Sequence, residues 1–395
     1  MADQAEPDAR NQYDHILLIV TFILVSIGLV MVFSASGVMA YDRYHDPYFF
    51  LRKQGIFALL GLALMFVVRK IPYRVYYRLV YPIFLISLLT LILLLIPGLG
   101  VEIRGATRWL RLGPFLFQPS ELAKLAVVIF LAYSMTRKQE KMKYFAIGFI
   151  PHILVAGVFI ILIEKQPDFG TAMTIAGLVF LLLFVGGTRL THIFLSALAI
   201  APVVVYAIIR DPKRLERVVT FLDPFAYKQD SGYQLVHSLY AIGSGGLGGL
   251  GIGKSQQKLF YLPDMHTDFI LSITAEEIGL IGVLLIIALF AVLVMRGISL
   301  SLKAPDHFGC YLALGLVTLI GFQAGLNMGV VSGILPTKGM SLPFISYGGS
   351  SLLVNLTAIG ILLNISAQSQ QPESEPQSTK TRSTAISCSK LKNER

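Results

Sequence analysis

Apolar positions in this chain fall in long runs separated by short polar joints, not in the alternating pattern of half-buried strands. The runs cover residues 15–36, 50–68, 79–96, 119–136, 144–163, 171–187, 191–209, 269–295, 307–331 and 349–366. A helix needs about 20 residues to cross the hydrocarbon of a bilayer. The pattern therefore predicts an all-α polytopic membrane protein of about ten transmembrane helices. The second, fourth and sixth runs are short or carry polar residues, so their limits are the softest. The first run follows a polar, mostly acidic stretch and precedes no small-residue cleavage site, which makes it a first spanning helix and not a cleavable signal.

Between the seventh and eighth runs lies the longest non-spanning segment, 210–268. It contains Asp211-Pro212, Asp223-Pro224 and a glycine-rich run from Gly243 to Gly253. Long ordered loops are usually functional. The expected organisation is a short tail over 1–14, a transmembrane domain over 15–366, and a disordered tail over 367–395 rich in Gln, Ser, Pro, Lys and Glu.

Composition agrees. Of 395 residues, 55% are hydrophobic and 14% charged, with a mean hydropathy of +0.69. Soluble domains carry about 25% charged residues. The net charge of +10 sits largely in short loops beside apolar runs, which argues for membrane orientation and against nucleic acid. Arg69, Lys70, Arg74 and Arg78 join the second and third runs; Arg137, Lys138, Lys141 and Lys143 join the fourth and fifth. That modest bias predicts cytoplasmic termini and an extracytoplasmic 210–268 loop, and it leaves basic residues on the outer face to be explained.

Four segments bear chemistry. Gly248, Gly253, Lys254 and Ser255 fit the spacing of a nucleotide phosphate loop, but that motif needs a preceding buried strand and a following helix. Neither is evident, so a turn-forming glycine loop is expected. Gln118 to Lys124 opens the fourth run; Glu121 and Lys124 share a helical face and can pair. The pair either neutralises itself while tying helices together or marks a polar cavity, since charge inside a bilayer is costly. Tyr261 to Phe269 leads straight into an apolar helix. Asp268, beside His266 and Thr267, suits a helix cap or a half-desolvated general base. Glu276 lies within about 80° of Asp268 on helical geometry, so the two are also candidates for holding a cation through oxygen ligands. Leu335 to Ser351 interrupts the apolar pattern with hydroxyls, glycines and Lys338. Such backbone at membrane depth must be buried or line a cavity.

Together the blocks 105–124, 166–172, 253–269 and 336–351 resemble the SEDS family of shape, elongation, division and sporulation proteins, in the family's order. The resemblance covers roughly residues 12–366. Ser255-x-Gln257-Lys258 with Tyr261-Leu262-Pro263, and Pro336-Thr337-Lys338-Gly339, are similar to the FtsW branch, which serves division. Asp264 stands where the family often has Glu.

The resemblance implies a SEDS fold and a peptidoglycan glycosyltransferase that polymerises lipid II into glycan strands during septal wall synthesis. It implies Asp268 as general base. It implies substrate contacts from Arg52, Arg111, Gln118, Glu121, Lys124, Lys258, His266, Thr267, Lys338, Ser346, Tyr347, Gly348, Gly349 and Ser350. A divalent cation, Mg2+ or Mn2+, is the implied cofactor, with no organic cofactor. The implied partners are lipid II, membrane lipid, a class B penicillin-binding protein (the septal transpeptidase) and other divisome membrane proteins. The implied place is the cytoplasmic (inner) membrane at the division septum. A lipid II flippase and a non-catalytic divisome scaffold are the rival readings. A flippase predicts a site reached from both faces, and a scaffold needs no costly intramembrane charges.

Overall fold

A computed structural model describes residues 13–369, except residues 104, 114 and 260 and the side chain of residue 112. Most of the expected terminal tails, and Arg104, lie outside the described residues. Ten apolar helices fall where the ten apolar runs predict them: α1 (His15–Tyr44), α2 (Phe49–Val68), α4 (Val80–Leu93), α5 (Pro119–Arg137), α6 (Ile150–Glu164), α7 (Phe169–Val185), α8 (Leu190–Arg210), α11 (Ile270–Lys303), α12 (His307–Val331) and α13 (Gly349–Ser369). Eight are long and apolar enough to cross a membrane, α6 when taken together with the π-helical turn Phe145–Phe149 that leads into it; α4 and α7 are apolar but shorter. A short helix α3 (Arg74–Arg78) precedes α4.

Local chemistry starts these helices. Asp14 accepts from the Leu17 amide at the start of α1, Asp168 from Thr171 at α7, and Asp306 from Gly309 at α12. Each carboxylate satisfies an amide that the first helical turn leaves unpaired. Pro119 occupies the first turn of α5, where its missing N–H costs nothing. Helix ends on one side of the bundle are tied by side chains: Arg296 of α11 pairs with Asp14, and Asn364 of α13 bonds the Tyr73 amide and the Arg69 carbonyl.

Two features depart from the run-by-run expectation. Residues between α4 and α5 form a three-stranded antiparallel sheet, β1 (Gly100–Ile103), β2 (Ala106–Leu112) and β3 (Phe115–Phe117), ordered β1-β2-β3. Trp109 pairs with Val101, and Arg111 with Leu116. The 210–268 segment contains two helices, α9 (Pro212–Leu222) and α10 (Tyr233–Gly245). Asp211-Pro212 is the start of α9: Asp211 accepts from the Lys213 amide and Pro212 sits in the first turn. The expected tail boundary at 366 falls inside α13, which runs three residues further.

The glycine-rich run has a structural task. α11 is broken at Gly279, whose φ of 69° and ψ of −172° are non-helical. The break releases the carbonyls of Glu276 and Glu277, which accept from the amides of Leu250 and Gly251 at 2.9 Å. The amides of Leu280 and Ile281 in turn donate to Gly246 and Leu247. A Cβ at Gly249 would strike the Glu277 carbonyl, and one at Gly245 the Ala275 carbonyl. Glycine is what lets the two backbones approach. Two amides of the phosphate-loop look-alike, those of Leu250 and Gly251, are thus spent on a broken helix, and Lys254 is exposed.

Candidate functional site

At one end of the bundle, a cavity of about 580 Å³ opens among ten elements, one of them β1, which contributes Ile103. α1 and α12 contribute residues from their C-terminal halves (Met39 and Arg43; Gln323), and α2, α5, α7 and α13 from their N-terminal caps and first two turns (Phe50; Gln118, Glu121, Lys124; Thr171, Thr174; Ser351). Arg108 and Trp109 come from β2. The segment 262–268 and the 339–348 part of the α12–α13 loop close the wall. The polar groups of the cavity therefore lie at a single end of the bundle.

Asp268 lines this cavity immediately before α11. It is not the helix cap: that position is Phe269, which makes no side-chain cap bond. The Asp268 backbone is held by three consecutive carbonyls. His266 O accepts from the Tyr347 amide at 2.9 Å, Thr267 O from Ser346 Oγ at 2.6 Å, and Asp268 O from Asn327 Nδ2 at 2.9 Å. Asn327 Nδ2 also donates to Met340 O at 2.6 Å, so one amide ties the Asp268 segment to the opposite cavity wall. Gly339 lies against the carboxylate, 3.1 Å from Asp268 Oδ2 to the point a Cβ would occupy.

Lys124 and Glu121 line the same cavity as Asp268. Lys124 Nζ donates to Glu121 Oε1 at 2.8 Å and to Gln323 Oε1 at 3.1 Å. Both side chains are almost wholly buried, at 4% and 7% exposure. Glu121 Oε2 is buried without a hydrogen-bond partner among the described residues. An unmatched carboxylate oxygen is costly unless a donor or water meets it. This end of the pair is built to receive something polar. Gln323 is fixed by its bond to Ser341 O, and Arg108 by donating to the Gln166 and Pro167 carbonyls.

Of the residues expected from sequence, Asp268, Gln118, Glu121, Lys124, His266, Thr267, Tyr347 and Gly348 line the cavity together. His266, Tyr347 and Phe50 form an aromatic cluster at its edge. Burial pushes the Tyr347 hydroxyl up to about 12, so it stays a neutral donor and acceptor. Ser346 and Ser350 are supports: Ser346 bonds Thr267 O and the Leu342 amide, and Ser350 accepts from the Gln118 amide. Gly349 packs under the Phe57 ring. Lys338 is partly buried next to cavity-lining Gly339, and burial lowers its ammonium below the usual lysine range.

Four expectations find a different setting. Arg52 is exposed and pairs with Asp46 at 2.8 Å. Arg111 is exposed on β2, outside the cavity lining. Lys258 is buried against Glu277 at 2.9 Å, away from the cavity lining. Glu276 does not share a cavity with Asp268, because helical geometry does not extend back to Asp268. Its carboxylate instead accepts from Ser255 Oγ and from the amides of Gln256 and Gln257. Sequence reasoning missed Arg43, Gln323 and Asn327 as site residues. Gln323 and Asn327 are the readable signal: two amides four apart in an otherwise apolar helix.

Among the described residues, no group of three or more His, Cys, Asp or Glu is arranged to hold a metal ion. Mg2+ is commonly held by one or two carboxylates together with substrate phosphates. Asp268 fits that kind of donor set; Glu276, already fully engaged, does not.

The profile of the FtsW, RodA and SpoVE family, described as cell cycle protein, matches residues 14–371. Over 358 residues the chain is 47% identical to the probable peptidoglycan glycosyltransferase FtsW of Geobacter metallireducens, covering 91% of this chain and 96% of that one. It is 41% identical over 362 residues to the stage V sporulation protein E of Bacillus subtilis, covering 91% and 99%. Among solved structures, it is similar to a chain of a peptidoglycan synthase complex in which polymerization and crosslinking are structurally coordinated. There the TM-score is 0.75 at 31% identity, with 91% of this chain and 99% of that one covered. It is also similar to the rod shape determining protein RodA of Thermus thermophilus, with a TM-score of 0.68 at 30% identity and coverage of 91% and 98%. The match over almost the whole length, in sequence and in fold, means that this multi-pass membrane protein belongs to the FtsW, RodA and SpoVE family, the SEDS proteins.

Proposed function

We propose that the chain is a peptidoglycan glycosyltransferase that polymerises lipid II at the division septum, with Asp268 as its general base. The observation that carries this reading is the gathering of a backbone-clamped carboxylate and a buried Lys124–Glu121 pair in one cavity, at one end of a membrane bundle. The acceptor's N-acetylglucosamine 4-hydroxyl loses its proton to Asp268 as it attacks C1 of the donor N-acetylmuramic acid. The C1–O bond to undecaprenyl pyrophosphate breaks, and the lipid pyrophosphate leaves. General-base help of this kind contributes about 10²–10⁴-fold.

Lys124, Arg43 and Arg108 are the cations for the departing pyrophosphate, preorganised so that little rearrangement accompanies the charge shift. Lys338 is a fourth. Glu121 orients Lys124 and offers its second oxygen to a substrate donor. Mg2+ or Mn2+ would be held by Asp268 with the substrate phosphates and would neutralise the leaving group. The cavity end is extracytoplasmic on this reading, both termini are cytoplasmic, and the basic outer residues meet an anionic lipid head group. A class B penicillin-binding protein supplies transpeptidation, in keeping with the complex to which the fold is similar.

The test is glycan-strand synthesis from labelled lipid II by the protein with its penicillin-binding partner, the partner's transpeptidase being blocked. Wild type is expected to make polymer and folded, partner-bound Asp268→Asn none. Equal polymer from both would remove Asp268 from catalysis. No polymer from either, with lipid II moving across vesicles that hold this protein alone, would favour the flippase.

A further inference from the structure

Three buried charges lie outside the cavity and take no part in the glycosyl transfer itself. Lys258, Glu276 and Glu277 are 5%, 1% and 1% exposed. Buried charges without a task are expensive. Their contacts all converge on the chain that leads to Asp268. Glu276 takes Ser255 Oγ and the amides of Gln256 and Gln257. Glu277 takes Lys258 Nζ at 2.9 Å and, on both oxygens, Ser34 Oγ of α1 at 2.7 and 2.6 Å. The carbonyls of the same two glutamates take Leu250 and Gly251. Two successive residues of a broken helix thus hold residues 250–258 through four groups.

The next stretch of chain needs such a hold. The described residues of 259–269 form no helix or strand, only turns and a bend, with Asp264 at a φ of 55°. Their far end is clamped at His266, Thr267 and Asp268 by Tyr347, Ser346 and Asn327. Within the span, Asp264 accepts from Gln234 Nε2 of α10 and Leu262 and Met265 are buried; the near anchor fixes where the span carrying Asp268 begins. Ser34 adds a second constraint. It lies two and a half turns from Arg43 on α1, and Arg43 forms another wall of the cavity. The Ser34–Glu277–Lys258 chain therefore connects the Arg43 wall, the broken helix and the Asp268 segment.

We propose that Lys258 and Glu277, with Glu276 and Ser255, are positioning residues that set Asp268 relative to the cationic wall of the cavity. This deepens the reading of Asp268 as base and rests on it for the kinetic part of the test. Misplacement of reacting groups by about 1 Å costs about 10²-fold.

The experiment compares Lys258→Met, the double variant Lys258→Met/Glu277→Met, and Asp268→Asn in the full chain bound to its penicillin-binding partner. Lys258→Met strands a buried carboxylate and is expected to lower the melting temperature and kcat together. The double variant removes the stranded charge, and apolar replacement of a buried pair is often neutral for stability. Its melting temperature is expected to return towards wild type while kcat stays about 10–100-fold down, with KM for lipid II within about threefold. Hydrogen exchange is expected to quicken at residues 256–269 of the double variant and to stay unchanged in α12. Recovery of kcat along with the melting temperature would reduce the network to a stability element and overturn the proposal. So would unchanged exchange over 256–269. A polymerising Asp268→Asn protein would sink the base assignment, and the exchange measurement would still decide on the anchor.

Discussion

α8 and α13 are each 21 residues long, and each would pass as a membrane span, yet they live in opposite surroundings. α13 is 83% buried over its apolar window with a mean hydropathy of 1.7; α8 is 0% buried with 2.3. The less apolar helix is the one inside. α5 and α12 follow it, at hydropathies of 1.2 and 1.6 and burial of 78% and 67%, whereas α6 at 2.6 is 33% buried. α2 departs from the trend, at 1.7 and 28%. In lipid, apolar side chains gain nothing from leaving their solvent, so small and polar residues mark where helices meet. α13 carries Ser351, Asn355 and Asn364 inward. α8 presents Phe194, Leu195, Leu198 and Val203 to the outside, each at least 60% exposed. The same polar residues that lower a span's hydropathy draw it into the bundle.

The largest effect that would break this contrast is Lys124→Met on α5. It leaves Glu121 buried without its cation. A loss of about 3–5 kcal/mol in stability is expected, with polymerisation down more than about 10²-fold, read by melting in detergent and by strand synthesis. If Lys124→Met melts like wild type, the buried helices do not depend on their polar pairs.

Asn327→Leu on α12 comes next. It releases Asp268 O and Met340 O together and should cost about 1–3 kcal/mol for groups left unmatched. A drop of about 10–100-fold in kcat, with KM nearly unchanged, would mark its clamp on both walls. Asn364→Leu on α13 touches no cavity residue. It should lose about 0.6–1.7 kcal/mol, the range for polar contacts between membrane helices, with normal specific activity of the folded protein. At the small end, Leu198→Ala on α8 should stay within about 0.5 kcal/mol; a larger shift in melting would mean that α8 has a contact surface in the isolated protein.

A pH series sharpens the comparison on the loop side. Burial disfavours the charged form of Lys338, so its folded pKa is depressed. The ammonium is therefore present at low pH and is lost, as pH rises, earlier than an ordinary lysine would lose it. KM for the anionic lipid substrate is expected to climb on the alkaline side in wild type and to stay flat over that range in Lys338→Arg.

The spans were legible because a bilayer imposes a length and forbids unpaired backbone. The Lys124–Glu121 pair was legible for a related reason: a helix face fixes which side chains meet. The sheet at 100–117 was not. Its alternating run is short and bracketed by Gly105 and Gly113, which sit at φ of 75° and 61° at its turns; those glycines were the available cue. Glu276 was misplaced because the angular argument assumed one continuous helix, whereas α11 begins after Asp268 and breaks at Gly279. Lys258 and Arg52 are site residues by family resemblance alone. Which basic residue reaches the cavity depends on where α1 ends and how the 250–268 segment is folded, and neither is a local property of sequence.

The break at Gly279 also bears on how the chain is assembled. The amides of Leu280 and Ile281 find their acceptors about thirty residues earlier in the chain, in Gly246 and Leu247. Left unmatched in hydrocarbon, each such amide would cost several kcal/mol. The span cannot therefore reach its final form as an autonomous helix. It must either insert unbroken and later surrender a turn to the glycine run, or wait at the membrane edge until that run arrives. Either route makes docking of the glycine run a step in the maturation of the eighth long apolar run, so a run that fails to dock would leave unmatched amides in that span.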